Sequence, residues 1–203
     1  NRSDLSTAVD TLRADSSLFR VALSNPVAYV RYHRGLAALQ SQLTRAVRRA
    51  PPIVYLLVGP TGLGKTRWVE DRFLEDPLLL ARKPGVGKWF DTYDGQEDLL
   101  LDEYDSDLPI PTLLKVLDRY SCDVEVKGSF VSLNNVKRIY ITSNDHPDVW
   151  YEWWREKSEQ YKAFQRRVHH VMASVDGEMK EIDKDVFFST YNGIHKTFEK
   201  KLV

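Results

Sequence analysis

The segment Gly59-Pro60-Thr61-Gly62-Leu63-Gly64-Lys65-Thr66 constrains this chain more than any other stretch. It fits the pattern G-x-x-x-x-G-K-[ST] at every fixed position. Its flanks give the match its specificity. Before it runs Ile53-Val54-Tyr55-Leu56-Leu57-Val58, apolar and of strand length. After it, Trp68, Val69, Phe73 and Leu74 fall at helical spacing, which predicts a helix over 66–74. A strand, a glycine loop and a helix together make an anion cradle. The glycines let backbone N–H groups turn inward, and the helix start adds the positive end of its dipole. In such a cradle Lys65 reaches the β- and γ-phosphates and Thr66 ligates Mg²⁺, so ATP and Mg²⁺ are the expected cofactors.

A second element belongs to the same chemistry. Asp98-Leu99-Leu100-Leu101-Asp102-Glu103 reads as a buried strand that delivers two acids to its carboxyl end, where open α/β sheets place their chemistry. Asp102 is then the Mg²⁺-side carboxylate, and Glu103 the candidate general base for an attacking water. A third strand, Val136 to Ser143, ends at Asn144. That amide can bond a γ-phosphate or the water, or simply occupy the turn before Pro147.

The rest of the chain is read more plainly. Residues 1–50 are helical in pattern, with Leu36, Leu39, Leu43 and Val47 on one face. Arg31, Arg34, Arg45, Arg48 and Arg49 decorate that segment as a solvated face or a basic interface. Ala50-Pro51-Pro52 marks the boundary before the nucleotide domain, expected over 51–175, with an extension over 176–203. Arg82 to Lys88 reads as a basic, glycine-containing loop, and Pro111 to Tyr120 as a helix. Asp123 to Lys127 and Phe130 to Leu133 flank Gly128-Ser129 as a β-hairpin, with Lys127 beside its tip. Such a lysine is an edge charge or, in a ring-shaped motor, a grip on a nucleic-acid phosphate. Trp150, Tyr151, Trp153 and Trp154 suit packing under a helix better than base stacking. Arg166 and Arg167 end a helix that runs into a strand. They are surface charges, or one of them faces a neighbouring copy's nucleotide. His169 and His170 are adjacent, so in a strand they point to opposite faces and do not share a metal. Strand character is expected at Val186-Phe187-Phe188.

Composition excludes several classes. Twenty-nine basic and 29 acidic residues give a formal net charge of zero, so any nucleic-acid contact must come from local patches. The single cysteine, Cys122, precludes an internal disulfide and suits a reducing compartment. No apolar run approaches the ~20 residues of a membrane span, and no zinc-type Cys/His spacing occurs.

In order along the chain, these motifs resemble the superfamily 3 helicase domain of the replication-initiator (Rep) proteins of circovirus-like viruses with circular single-stranded DNA genomes. The matching segments are GPTGLGKTRW from Gly59, KWFDTYDGQEDLLLDEY from Lys88, LLKVLDRYSCDVEVKGSFV from Leu113 and IYITSNDHPDVWY from Ile139. In that family they are the Walker A, Walker B, B′ and C motifs. The resemblance implies an α/β P-loop NTPase of AAA+-like type, with a mostly parallel central sheet behind a small helical oligomerisation module. It implies a hexameric DNA helicase that acts in rolling-circle replication in the host nucleus, with ATP between subunits and single-stranded DNA through the ring. Lys65 and Thr66 take phosphate and Mg²⁺, Asp102 and Glu103 take Mg²⁺ and water, and Asn144 is the sensor. Lys127 touches DNA, and Arg166 or Arg167 is the arginine finger.

There are two departures from the family pattern. The family's upstream nicking endonuclease carries a His-hydrophobic-His metal site and a tyrosine, and nothing here matches them. That domain is expected to be missing from this chain. The stretch Tyr104-Asp105-Ser106-Asp107 is also more acidic than the family's usual continuation. Two rival readings remain: an RNA-virus ATPase of the same superfamily, and a nucleotide-bound oligomeric scaffold without motor activity.

Overall fold

The run Ile53–Val58 forms β1, and its alternation explains where it lies. Val54, Leu56 and Val58 join one buried cluster while Tyr55 and Leu57 join another, so both faces of the strand are covered. A strand of that kind belongs inside a sheet. In the computed structural model it pairs in parallel with β6 (Arg138–Ser143) on one side and β7 (His170–Val175) on the other. The structure describes residues 2–46, 50–83, 89–127, 129–154, 158–175 and 178–190. Arg48, Arg49, the 84–88 part of the basic loop, Gly128 and the tail beyond 190 lie outside them, as does the side chain of Trp153.

With β2 (Leu80–Lys83), β3 (Asp98–Leu101) and β8 (Glu178–Ile182), the sheet order is β2-β3-β6-β1-β7-β8. Only β8 is antiparallel. The fold is mixed α/β around a mostly parallel sheet. Parallel pairing brings the carboxyl ends of β1, β3 and β6 to one edge, and each carries a candidate residue just beyond it. Strand β4 (Asp123–Val126) and β5 (Ser129–Ser132) form a separate antiparallel hairpin.

The N-terminal segment folds as α1 (Arg2–Asp15), α2 (Leu18–Ser24) and α3 (Pro26–Ala46). These helices close over their own cluster of Ala8, Leu12, Val21, Ala28 and Leu36. One carboxylate ties them to the sheet. Asp94 accepts from Ser17 Oγ at 3.1 Å, the N–H groups of Leu18 and Phe19 at 3.3 and 2.8 Å, and Gln40 Nε2 at 2.7 Å. Gly95 follows with φ +92°, and a Cβ there would stand 2.3 Å from Ser16 O. That approach requires glycine.

Three local expectations change. The helix after the glycine loop, α4, spans Lys65–Glu70 and tightens into a 3-10 turn at Asp71–Phe73, which still buries Phe73. Arg82 and Lys83 are strand residues in β2 rather than loop, because the edge of the sheet takes them up. Residues 186–188 lie in a helix, α7 (Lys184–Thr190), instead of a strand. Asp183 starts it by accepting the N–H of Val186 at 2.8 Å, an N-cap bond that a strand would not make. The helix expected over 111–120 is α5 (Ile110–Val116), and α6 (Ser158–Arg167) runs into β7. Among the described residues no helix is long and apolar enough to cross a membrane.

Candidate nucleotide site

At the end of β1 the chain turns through Gly59, Pro60, Thr61, Gly62, Leu63 and Gly64. Gly62 and Gly64 hold φ +88° and +76°, values that a side chain rarely allows. Lys65 opens α4 and folds back over this loop. Its Nζ donates to Gly59 O at 2.6 Å, Pro60 O at 3.0 Å and Asn144 Oδ1 at 2.9 Å. The side chain is buried, and that desolvation lowers its pKa, while Glu103 and Asp102 pull the other way. The loop therefore concentrates one partly desolvated cation, held by three neutral oxygens, beside two acids.

Thr66 turns toward β3. Its hydroxyl donates to Asp102 Oδ1 at 2.8 Å, and Thr142 Oγ1 reaches the same oxygen at 2.9 Å. The Thr142 hydroxyl also accepts the N–H of Glu103 at 2.8 Å, so one buried side chain orients both acids. Glu103 sits at φ +50° with its side chain exposed. Backbone bonds complete the junction: Gly59 N to Ser143 O at 3.2 Å, Asp102 N to Lys83 O at 3.0 Å and Tyr104 N to Thr142 O at 2.7 Å.

Thr66 Oγ1 and the Asp102 carboxylate are hard oxygen donors in contact. They fit Mg²⁺, which binds one or two protein oxygens and completes its octahedron with phosphate and water oxygens. Among the described residues no group of three His, Cys, Asp or Glu could hold a metal.

The structure thus brings together Lys65, Thr66, Asp102, Glu103 and Asn144. The remaining candidates lie elsewhere. Arg166 is exposed at the end of α6, whereas Arg167 is half-buried and donates to Asp118 and to Ala163 O. Lys127 is exposed beside the hairpin tip, with its N–H 2.7 Å from Asp91 Oδ1 and its ammonium 3.4 Å from Asp91 Oδ2. Trp150, Tyr151 and Trp154 are buried, and with Phe164 and Tyr104 they form an aromatic cluster. The sequence reading missed Thr142. The signal for it was the alternation of β6, which places positions 142 and 144 on the same side at the strand end.

No family model matches the chain. Among curated proteins, it is 43% identical over 151 residues to the replication-associated protein of Porcine circovirus 1, which covers 74% of this chain and 47% of that protein. The Porcine circovirus 2 protein of the same name is 42% identical over the same shares of each chain. That of human-associated cyclovirus 1 is 34% identical over 180 residues, 82% of this chain and 60% of that one. The chain spans about half the length of these two circovirus relatives. Among solved structures, the S. cerevisiae Hsp104–ADP complex aligns at TM-score 0.41 and 17% identity over 69% of this chain and 26% of that one. The matched stretch is the larger part of this chain, and through it the chain belongs to the circovirus-like replication-associated (Rep) family.

Proposed function

We propose that this chain is the ATP-hydrolysing, Mg²⁺-dependent superfamily 3 DNA helicase part of a viral replication initiator, working as a hexameric ring on single-stranded DNA in the host nucleus. The observation that carries the reading is the convergence on Asp102 Oδ1: Thr66 from the phosphate loop and Thr142 from β6 donate to the same carboxylate oxygen. That geometry suits a nucleotide tail lying between α4 and the acids. Lys65 would exchange its bonds to Gly59 O and Pro60 O for phosphate oxygens, which the flexible ammonium can do without backbone movement. Bound at Thr66 and Asp102, Mg²⁺ would neutralise phosphate charge. Glu103 accepts the proton of the attacking water, and Asn144 orients that water or the terminal phosphate. Arg166, exposed and outside any ion pair with Asp118, is the better finger toward a neighbouring copy's nucleotide; Arg167 is committed to that aspartate. Such fingers contribute ~10³–10⁵ in rate.

Two further features support the ring and its track. Leu23, Val27 and Val30 on α2 and α3 are 63%, 59% and 80% exposed, apolar surface suited to a second copy of the helical module. The separate core of α1, α2 and α3 supports a helical module distinct from the ATPase domain, onto which β8 and α7 of the C-terminal extension pack. Lys127 is offered for DNA phosphate, and the resemblance to Rep proteins of circular single-stranded DNA viruses favours DNA over RNA.

Phosphate release from ATP, with and without Mg²⁺, tests the enzyme. Release should require Mg²⁺ and should fall at least ~10²-fold in Glu103→Gln, the scale expected of a general base. Metal-independent release, or a Glu103→Gln chain as active as the parent, would sink the assignment.

A further inference from the structure

The loop that carries Glu103 holds a buried ion pair that the proposed chemistry does not use. Lys83, the last residue of edge strand β2, pairs with Asp107. Their side chains are only 1% and 8% exposed. The Lys83 ammonium also lies 5.7 Å from the Phe90 ring centroid. Asp107 Oδ1 is buried and accepts no hydrogen bond among the described residues, so the ammonium carries most of that carboxylate's stabilisation. Burial pushes the Asp107 pKa up, and the bond from Lys83 opposes it.

The pair closes a short circuit around the acids. Lys83 O already accepts the N–H of Asp102, and the Lys83 side chain then captures Asp107, five positions further on. Between these anchors the backbone passes through two left-handed residues, Glu103 at φ +50° and Ser106 at φ +55°. Both conformations are strained for residues with a side chain. No hydrogen bond is seen to the Glu103 carboxylate among the described residues, so its place depends on the backbone that carries it and on attraction to the Lys65 ammonium. The near side of the loop is fixed by Tyr104, whose O accepts from Ser143 Oγ at 2.8 Å. The far side is fixed by the ion pair and by Leu108 O, which accepts from the Tyr151 hydroxyl at 2.5 Å. The acidic character of Tyr104-Asp105-Ser106-Asp107 thus has a local use: Asp107 is the counter-ion of a lysine at the sheet edge.

We propose that Lys83 and Asp107 are positioning residues, which hold the 102–108 loop so that the Glu103 carboxylate stays over the nucleotide cradle. The proposal rests on the reading of Glu103 as general base. A buried pair can be replaced by apolar groups without leaving an unpaired charge, so stability and positioning are separable.

The test uses the Lys83→Met/Asp107→Val double variant, beside the parent chain and Glu103→Gln. Melting temperature and affinity for a non-hydrolysable ATP analogue should stay at the parent's values. The turnover number should fall by about 10- to 100-fold, the cost of a displaced reacting group. A folded double variant with parental turnover overturns the proposal, as does a loss of analogue affinity matching the loss of turnover. If the double variant does not fold, Asp107→Asn decides on the same readouts. A several-fold drop in turnover at unchanged affinity supports the proposal, and parental turnover overturns it. Glu103→Gln separates the two levels. If it abolishes turnover while the double variant is normal, only the positioning proposal fails. If Glu103→Gln is fully active, the general-base reading fails and the positioning proposal fails with it.

Discussion

The hydroxyl of Thr142 donates to Asp102 Oδ1 at 2.9 Å, and this bond joins β6 to the acid-bearing end of β3. The Thr142 hydroxyl oxygen in turn accepts the N–H of Glu103. Thr142→Val keeps the shape and removes both functions. Turnover should drop by about tenfold or more, and stability by about 1–3 kcal/mol, because the Glu103 N–H loses its acceptor. Phosphate release and denaturant unfolding on one preparation check both parts; unchanged turnover would leave Thr142 a packing residue.

Lys65→Ala removes the cation over the glycine loop. ATP turnover should become undetectable, while melting temperature changes little, since the lost ammonium was partly desolvated and its three bonds went to neutral oxygens. Calorimetric titration with ATP and Mg²⁺ should lose its binding heat in the variant.

The pair Asp118–Arg167 gives a pH signature. Burial pushes the Asp118 carboxyl up, but hydrogen bonds from Arg167 and the Arg119 N–H outweigh it and hold the pKa below the ordinary 3.8. A depressed carboxyl stabilises the fold above 3.8, and that contribution disappears as pH falls through the folded value. The stability gap between the parent and Arg167→Met should therefore be constant at neutral pH and shrink as the solution is acidified below 3.8. Denaturant unfolding across that range measures it, and a gap that widens in acid would contradict the pairing.

Asp94→Ala should loosen α2 and α3 from the sheet, since four donors lose one acceptor. The expected cost is about 1–3 kcal/mol, with limited proteolysis near Ser16 and Ser17 rising before global unfolding. Gly95→Ala should act in the same direction through its contact with Ser16 O.

Lys127 and Asp91 predict opposite effects on DNA. Lys127→Ala should weaken single-stranded DNA binding and lower the salt slope by about one counterion. Asp91→Ala releases the Lys127 ammonium from its 3.4 Å partner and should tighten binding. Fluorescence anisotropy over a salt series checks both. If neither variant moves the slope, Lys127 is only an edge charge.

Several features needed no coordinates. The eight residues from Gly59, the apolar run before them and the Asp-Glu end of a second buried strand already point to an α/β sheet with a glycine loop at its carboxyl edge. Those signals are local: a motif with fixed spacing, and an alternation that only a strand satisfies. Gly95 carried no such signal, because what matters about it is the approach of Ser16, 79 positions away in the chain; the alternation of β6 placed Thr142 at the strand end, but not against Asp102, 40 positions away. Lys83 read as part of a basic loop because isolated lysines favour solvent; only the closing of β2 onto β3 revealed a buried ammonium opposite Asp107. Arg166 and Arg167 were likewise indistinguishable in sequence, since adjacent arginines are chemically identical until tertiary contact pairs one of them, Arg167, with Asp118. Local pattern determined what each segment can be. Pairing across the sheet determined which charges are spent inside the fold and which remain for a ligand, because desolvation and ion pairing act through space rather than along the chain.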